Sequence, residues 1–220
     1  GPVGIATGDD LCVRAARLLQ QKTGCRSGVS ISLEKHLPWG AGLGGGSSDA
    51  ATTLIALNRL WELDLSRDEL REIALALGAD VPVFIFGRSA FAEGVGEELT
   101  AFDVPKAWYV VLTPPVHVAT KEIFADPELT RDSIPIKITN FSQASLRNDL
   151  EPVAKRRFPE IGHCLQWLEN YAPARMTGSG GAVFAAFSDE GSAQKALNVL
   201  PETMQGFVAE GWSVHPLAGL

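Results

Sequence analysis

Five glycines fall between positions 40 and 46, inside Pro38-Trp-Gly-Ala-Gly-Leu-Gly-Gly-Gly-Ser-Ser-Asp49. Glycine at this density lets successive backbone N–H groups converge on one anion, because a Cβ would block both the φ > 0 turns and the approach of a phosphate. Ser47 and Ser48 follow, then Ala50, Leu54, Leu57 and Trp61 at helical spacing, so the loop empties into a helix N-terminus whose dipole favours negative charge. The two serines can cap that helix or touch a ligand. Asp80, in Gly78-Ala-Asp-Val-Pro82, sits where a helix N-cap is expected. A second glycine-rich turn, Arg175–Gly181, offers further backbone donors. The chemistry these residues suggest is phosphate binding.

Two familiar phosphate loops do not fit. The Walker A pattern requires Gly-Lys-Ser/Thr, and no lysine precedes Ser47. Gly40-x-Gly42-x-x-Gly45 satisfies a dinucleotide fingerprint, but the helix behind it runs toward a second capped helix at Ser66 instead of a strand ending in an acidic residue.

Positioning these groups requires a regular scaffold. The spacing of Leu11, Ala15, Leu18 and Leu19 behind Asp9-Asp10, with Gly24 as a stop, predicts a helix over about 10–23. Val29, Ile31 and Leu33 alternate, predicting a strand over 28–37 ahead of the glycine loop. Ser66-Arg-Asp-Glu69 is a capping box for a helix ending at Gly78. Ser89–Phe91 and Leu99–Phe102 flank Glu93-Gly-Val-Gly96 as a hairpin. After Pro105 the chain predicts a strand at Trp108–Leu112, a short helix from Lys121 to Phe124, and a polar surface excursion over Asp126–Asn140. Helices over 149–158 and 160–171, a strand at 182–187, a helix at 192–200 and a strand over 206–214 complete it. The expected class is α+β, with a boundary near 103–107: an N-terminal domain over 1–104 and a C-terminal one over 105–220.

Composition narrows the function classes. Nineteen basic against 26 acidic side chains give 19 − 26 = −7, which argues against bulk nucleic-acid binding. The Lys155–Arg157 run reads as a solvated helix face. No apolar stretch approaches the ~20 residues of a membrane span, so no membrane partner is expected. Cys12, Cys25 and Cys164 are odd in number and form no CxxC pair, which fits the cytoplasm. His36, His117, His163 and His215 show no metal-ligand spacing.

The segment Pro38-x-x-x-Gly42-Leu43-Gly44 with Ser47-Ser48 and an alanine-rich helix resembles the signature of the galactokinase, homoserine kinase, mevalonate kinase and phosphomevalonate kinase superfamily. Leu37–Ala51 is most similar to one branch, the kinases of 4-diphosphocytidyl-2-C-methyl-D-erythritol in non-mevalonate isoprenoid synthesis. Gly78-Ala-Asp80-Val-Pro-Val-Phe84, Ala92-Glu-Gly-Val-Gly-Glu97, Asn148-Asp-Leu-Glu151 and Arg175-Met-Thr-Gly-Ser-Gly180 match that branch in order. The resemblance implies a two-domain α+β kinase with an active cleft between an ATP-binding and a substrate domain. It implies a small-molecule substrate, ATP and Mg²⁺, and a monomer or weak homodimer. Another kinase of the superfamily, or a nucleotide-binding module without turnover, is the alternative.

Carried over residue by residue, Pro38, Trp39, Gly40, Ala41, Gly42, Leu43, Gly44, Gly45, Gly46, Ser47 and Ser48 would wrap ATP, with Ser48 also a Mg²⁺ ligand. Asp80 would be the catalytic base. Asp10 and Lys35 would line the nucleotide cleft, or else be a helix cap and a solvated strand end. Thr120, Phe124, Thr177, Gly178, Ser179 and Gly180 would meet the substrate, Phe124 by stacking on the cytosine unless it is a core residue. The branch also carries a Pro-Ala-Lys-Xaa-Asn strand, whose lysine partners the aspartate, and a Gly-Tyr-His segment. Neither occurs here, and Lys106, Lys155 and His163 lack that context. A shortened enzyme or a degenerate, inactive relative is the expectation that follows.

Overall fold

The computed structural model describes residues 8–134 and 146–219. Two compact units emerge: residues 1–37, 44–104 and 212–220 form one, and residues 38–43 and 105–211 the other.

In the first unit, the Asp10 carboxylate accepts from the Cys12 N–H at 2.8 Å and starts α1 (Leu11–Thr23), which Gly24 ends at φ 72°. α2 (Gly45–Leu60) packs on it through Ala15, Ala16, Ala50 and Ala51, small side chains that permit close approach. α3 (Arg67–Leu75) opens with the predicted capping box, Ser66 and Glu69 bonding reciprocally. α4 (Val81–Phe86) buries Val81 and Ile85 into the same core and stops at Gly87, φ 72°. β1 (Ala90–Glu93) and β2 (Glu98–Ala101) form the predicted hairpin, Ala90 opposite Ala101. The last residues return to this unit: the Ser89 N–H donates to Ser213 O, and the His215 N–H to Gly87 O.

The second unit is built on an antiparallel sheet. β3 (Trp108–Leu112) lies between β5 (Val183–Phe187) and β6 (Gly206–Glu210), with β4 (Ala174–Met176) outside β5. α5 (Thr120–Phe124), α6 (Glu151–Arg157), α7 (Pro159–Leu168) and α8 (Glu190–Asn198) contribute Ile123, Val153, Ile161, Leu165 and Ala193 to a core shared with Val110, Leu112 and Val183. Pro159 parts α6 from α7 by holding Phe158 out of the helical region at φ −130°, ψ 87°. The chain is α+β, as the sequence predicts.

Several expectations are corrected. No strand forms over 28–37: Val29 and Ile31 are 41% and 38% exposed, and alternation without a hydrogen-bonded neighbour makes no ladder among the described residues. α2 begins at Gly45, so half of the expected loop is helix. The stretch from Asp126 is no simple surface excursion, because Asp126 is 3% exposed and Leu129 is buried; its residues from 135 onward lie outside the described ones. Lys155, Arg156 and Arg157 lie on the exposed face of α6, as expected, and the two arginines also reach the buried Asp126 carboxylate.

Candidate active site

The glycine loop divides between the units. In the second unit, Gly40, at φ 69°, lies so close to the His117 ring that a Cβ would fall 2.6 Å from it. Ala41 is buried with Val111 and Ala182, and its carbonyl accepts from the Ala182 N–H at 2.9 Å. Gly42, at φ 71°, has no room for a side chain against the carbonyls of Thr177 and Gly180. Its own carbonyl accepts the Thr177 hydroxyl at 2.7 Å. Trp39 is 63% exposed, with its ring centroid 6.0 Å from that of His117.

In the first unit, Gly44 takes the N-cap position of α2 at φ 69°, and a Cβ there would press on the Phe84 ring at 3.0 Å. Ser47 and Ser48 are therefore third and fourth in the helix, and neither caps it; the capping alternative fails. The Ser48 N–H is the first to bond within the helix, to Gly44 O at 2.9 Å. The N–H groups of Gly45, Gly46 and Ser47 precede that bond and open on the helix end, which carries the positive dipole. Lys35 forms an ion pair with Asp49, one residue past the serines, while Asp10 is occupied as the α1 cap.

Asp80 stands at the N-cap position of α4, but at φ −85°, ψ −10° its side chain makes no capping bond. The carboxylate is exposed and uncommitted to the helix. Two features hold it there. The Val81 N–H bonds Gly78 O at 3.1 Å, and Gly96 brings the hairpin turn against Ala79, where a Cβ would lie 2.7 Å from the Ala79 carbonyl. Asp80 precedes Phe84 by four residues, so it lies on the α4 face that reaches Gly44. Asp80 and the open end of α2 thus share one side of this unit.

The second unit gathers most of the predicted substrate residues. The hydroxyls of Thr120 and Ser179 lie 2.7 Å apart. Phe124, at the end of α5, is 55% exposed, which excludes the core alternative. The turn Thr177–Gly181 is less rich in donors than its glycines suggest: the Thr177 N–H is spent on Ala182 O and the Gly180 N–H on Thr177 O, both at 3.0 Å. Asn148 and Glu151 hold this turn. The Asn148 amide donates to Met176 O at 3.0 Å and to Gly178 O at 2.7 Å, and Glu151 accepts from the Met176 N–H at 3.1 Å. The sequence singles out both residues in the Asn148-Asp-Leu-Glu151 match but gives no sign of these contacts, and Asn148 Oδ1 also accepts from the Leu150 N–H at the start of α6. Lys106 pairs with Glu210 and Lys155 with Glu151, so both are engaged within the second unit.

Comparison with known proteins decides the family. The GHMP kinases N terminal domain matches residues 10–88 and the GHMP kinases C terminal domain residues 135–206. The 4-diphosphocytidyl-2-C-methyl-D-erythritol kinase of Thiobacillus denitrificans is 61% identical over 97% of this chain and 77% of its own length. The chain belongs to the GHMP kinases. A second relative of this GHMP kinase, the 4-diphosphocytidyl-2-C-methyl-D-erythritol kinase of Aromatoleum aromaticum, is 57% identical over 98% of the chain and 76% of its own length. A crystal structure of a 4-(cytidine 5'-diphospho)-2C-methyl-D-erythritol kinase superposes with a TM-score of 0.79 at 35% identity, over 96% of this chain and 80% of that one. Homoserine kinase from Cytophaga hutchinsonii, at 16% identity and a TM-score of 0.74 over 98% and 79%, shares the fold. As a GHMP kinase the chain is an ATP-dependent phosphotransferase acting on an alcohol group of a small molecule.

Proposed function

We propose that this GHMP kinase transfers the γ-phosphoryl group of ATP to a hydroxyl of 4-diphosphocytidyl-2-C-methyl-D-erythritol, in isoprenoid precursor synthesis. The 61% identity to a kinase of that name carries the reading. Phosphoryl transfer needs charge stabilisation, an acceptor held in line and a group to orient its proton. The N–H groups of Gly45, Gly46 and Ser47 would take the ATP phosphates, with Pro38–Leu43 completing the wrap and Trp39 covering the adenine. Asp10 and Lys35 would line the nucleotide cleft, and the Lys35 ion pair with Asp49, in α2, supports the lysine's part. Asp80 would orient the substrate hydroxyl and take up its proton; the carboxylate left unused by α4 supports that role. Phe124 would stack on the cytosine, with Thr120, Ser179 and the Thr177–Gly180 turn beside it.

Mg²⁺ fits the donor set in a limited way. Ser48 offers one hard hydroxyl oxygen in the first turn of α2, and among the described residues no cluster of His, Cys, Asp or Glu gathers three possible ligands. Such a site suits an ion that keeps waters and phosphate oxygens as most of its shell, and the ion would supply charge neutralisation on the nucleotide. The three free cysteines support a reducing compartment, the cytoplasm, where we place the protein as a monomer or weak homodimer.

The test is ADP release with a panel of acceptors. The methylerythritol cytidine diphosphate should be phosphorylated, and homoserine, mevalonate and galactose should not; preference for any of these overturns the substrate. Asp80→Asn should lower turnover by about 10²–10⁴-fold while leaving ATP affinity unchanged. Undiminished turnover removes Asp80 from the chemistry.

A further inference from the structure

α5 is five residues long, too short to hold its own shape, yet it carries Thr120 at one end and Phe124 at the other. Ile123 anchors its inner face in the core. Its exit is fixed by ions. Arg131 donates to the carbonyls of Phe124 at 2.7 Å, Asp126 at 3.1 Å and Leu129 at 3.1 Å. Asp126, almost fully buried, accepts from the Glu128 N–H at 3.0 Å, from Arg156 at 2.7 Å and from Arg157 Nε at 2.9 Å. Arg156 also bonds Glu128, and Arg157 lies 3.6 Å from Glu122 of α5. The Glu128 N–H, ahead of the two guanidiniums, holds the Asp126 carboxyl below the ordinary carboxylate range, against the burial that would raise it.

Both arginines stand at the last turn of α6. The other end of α6 holds the second glycine turn, through Asn148 just before the helix and Glu151 in its first turn. α6 therefore braces two places at once: the turn bearing Ser179, and the exit of α5 bearing Phe124. Nothing in this cluster touches a reacting atom. A buried carboxylate with three donors is costly to keep unless its geometry is used.

We propose that Asp126, through Arg156 and Arg157, is a positioning residue that fixes Phe124 against the flat, aromatic end of the substrate and so sets affinity for the nucleobase-bearing substrate, not for ATP. This rests on the assignment of the cytosine to Phe124. Asp126→Asn keeps the volume, and the two arginines lose the carboxylate they share, Arg156 keeping Glu128 and Arg157 keeping Glu122. It should raise KM for 4-diphosphocytidyl-2-C-methyl-D-erythritol about tenfold, with KM for ATP and kcat changed less than twofold. In the Phe124→Ala background the same substitution should add almost nothing, because the ring it positions is gone.

Arg131→Gln removes the clamp on the Phe124 carbonyl without touching the buried carboxylate, and should repeat the pattern where Asp126→Asn folds poorly. Equal losses in KM for both substrates and in kcat, or the same added loss with and without Phe124, would reduce the cluster to a fold support and overturn the proposal. Phe124→Ala with an unchanged KM for the cytidine substrate overturns instead the placement of the base on that ring, whatever Asp126 does.

Discussion

The two glycine-rich turns use glycine for different reasons. At Gly178 and Gly180 of the second turn, and at Gly40, Gly42 and Gly44 of the first, the absence of a side chain is demanded by the protein itself: left-handed φ values, with carbonyls, rings or the Met176 sulfur where a Cβ would sit. Gly45 and Gly46 are different. Both are helical, and a Cβ on either would meet only a leucine methyl at 3.4 Å, ordinary contact. The fold does not need glycine there, which agrees with the proposed approach of the ATP phosphates to the end of α2. The second turn, by contrast, spends the Thr177 and Gly180 N–H groups on itself and takes its shape from Asn148 and Glu151. One turn is built to receive and the other to hold.

Alanine scanning of the glycines separates the two uses. Gly42→Ala should be the most damaging. Left-handed strain of ~1–2 kcal/mol adds to displacement of the Thr177 carbonyl, for a total near 2–3 kcal/mol in denaturant unfolding, with turnover lost alongside. Gly45→Ala should behave in the opposite way. Stability should hold or rise by up to ~1 kcal/mol, while KM for ATP increases about tenfold or more, the effect of a blocked charged hydrogen bond. Equal destabilisation by both substitutions would erase the distinction.

Asn148→Ala addresses the second turn. Removing the donor to two carbonyls should cost about 1–3 kcal/mol, with KM for ATP unaffected. Parallel loss of ATP affinity would show that the turn receives nucleotide after all.

The smallest effect concerns acid. Asp126 is held low by the Glu128 N–H and its arginines, and Asp189 by the Ser192 N–H and hydroxyl with help from Ser188. A carboxylate lowered in the folded state stabilises fully above its unfolded pKa of about 3.9 and loses that contribution as pH falls toward the folded value. Both lie in the second unit. Urea midpoints followed from pH 6 to pH 3 should therefore decline below about pH 4, with a shallower decline in Asp126→Asn. An identical slope in the variant would remove Asp126 from the acid response.

Local signals made much of this legible. The Ser66–Glu69 box, the Asp10 cap and the Gly24 stop are each decided within four residues of sequence, and all three appear as expected. What failed depended on distant partners. Val29, Ile31 and Leu33 alternate correctly, yet a strand exists only when another strand meets its edge. Asp80 carries every local mark of a cap, but its backbone adopts helical angles and turns the carboxylate away from that task. Arg156 and Arg157 are solvent-facing, as expected, but their bonds to Asp126 stay hidden because that residue, thirty positions earlier, gives no sign in sequence of being buried. The site was readable as a motif through Gly40–Ser48, whereas the roles of Asn148, Glu151 and Asp126 arise from contacts the motif does not encode.

The chain passes between the two units at four peptide bonds, after residues 37, 43, 104 and 211. Cutting the gene once, anywhere, cannot yield two self-sufficient pieces. A polypeptide starting at Pro105 lacks Ala41 from the small core with Val111 and Ala182, and one ending at Val104 lacks Ser213 and His215, which bond Ser89 and Gly87. Recombination that exchanged one half for a relative's would transplant mismatched seams along with it. An exchange of either half would therefore succeed only where the incoming piece supplies matching partners for Ala41, Ser213 and His215.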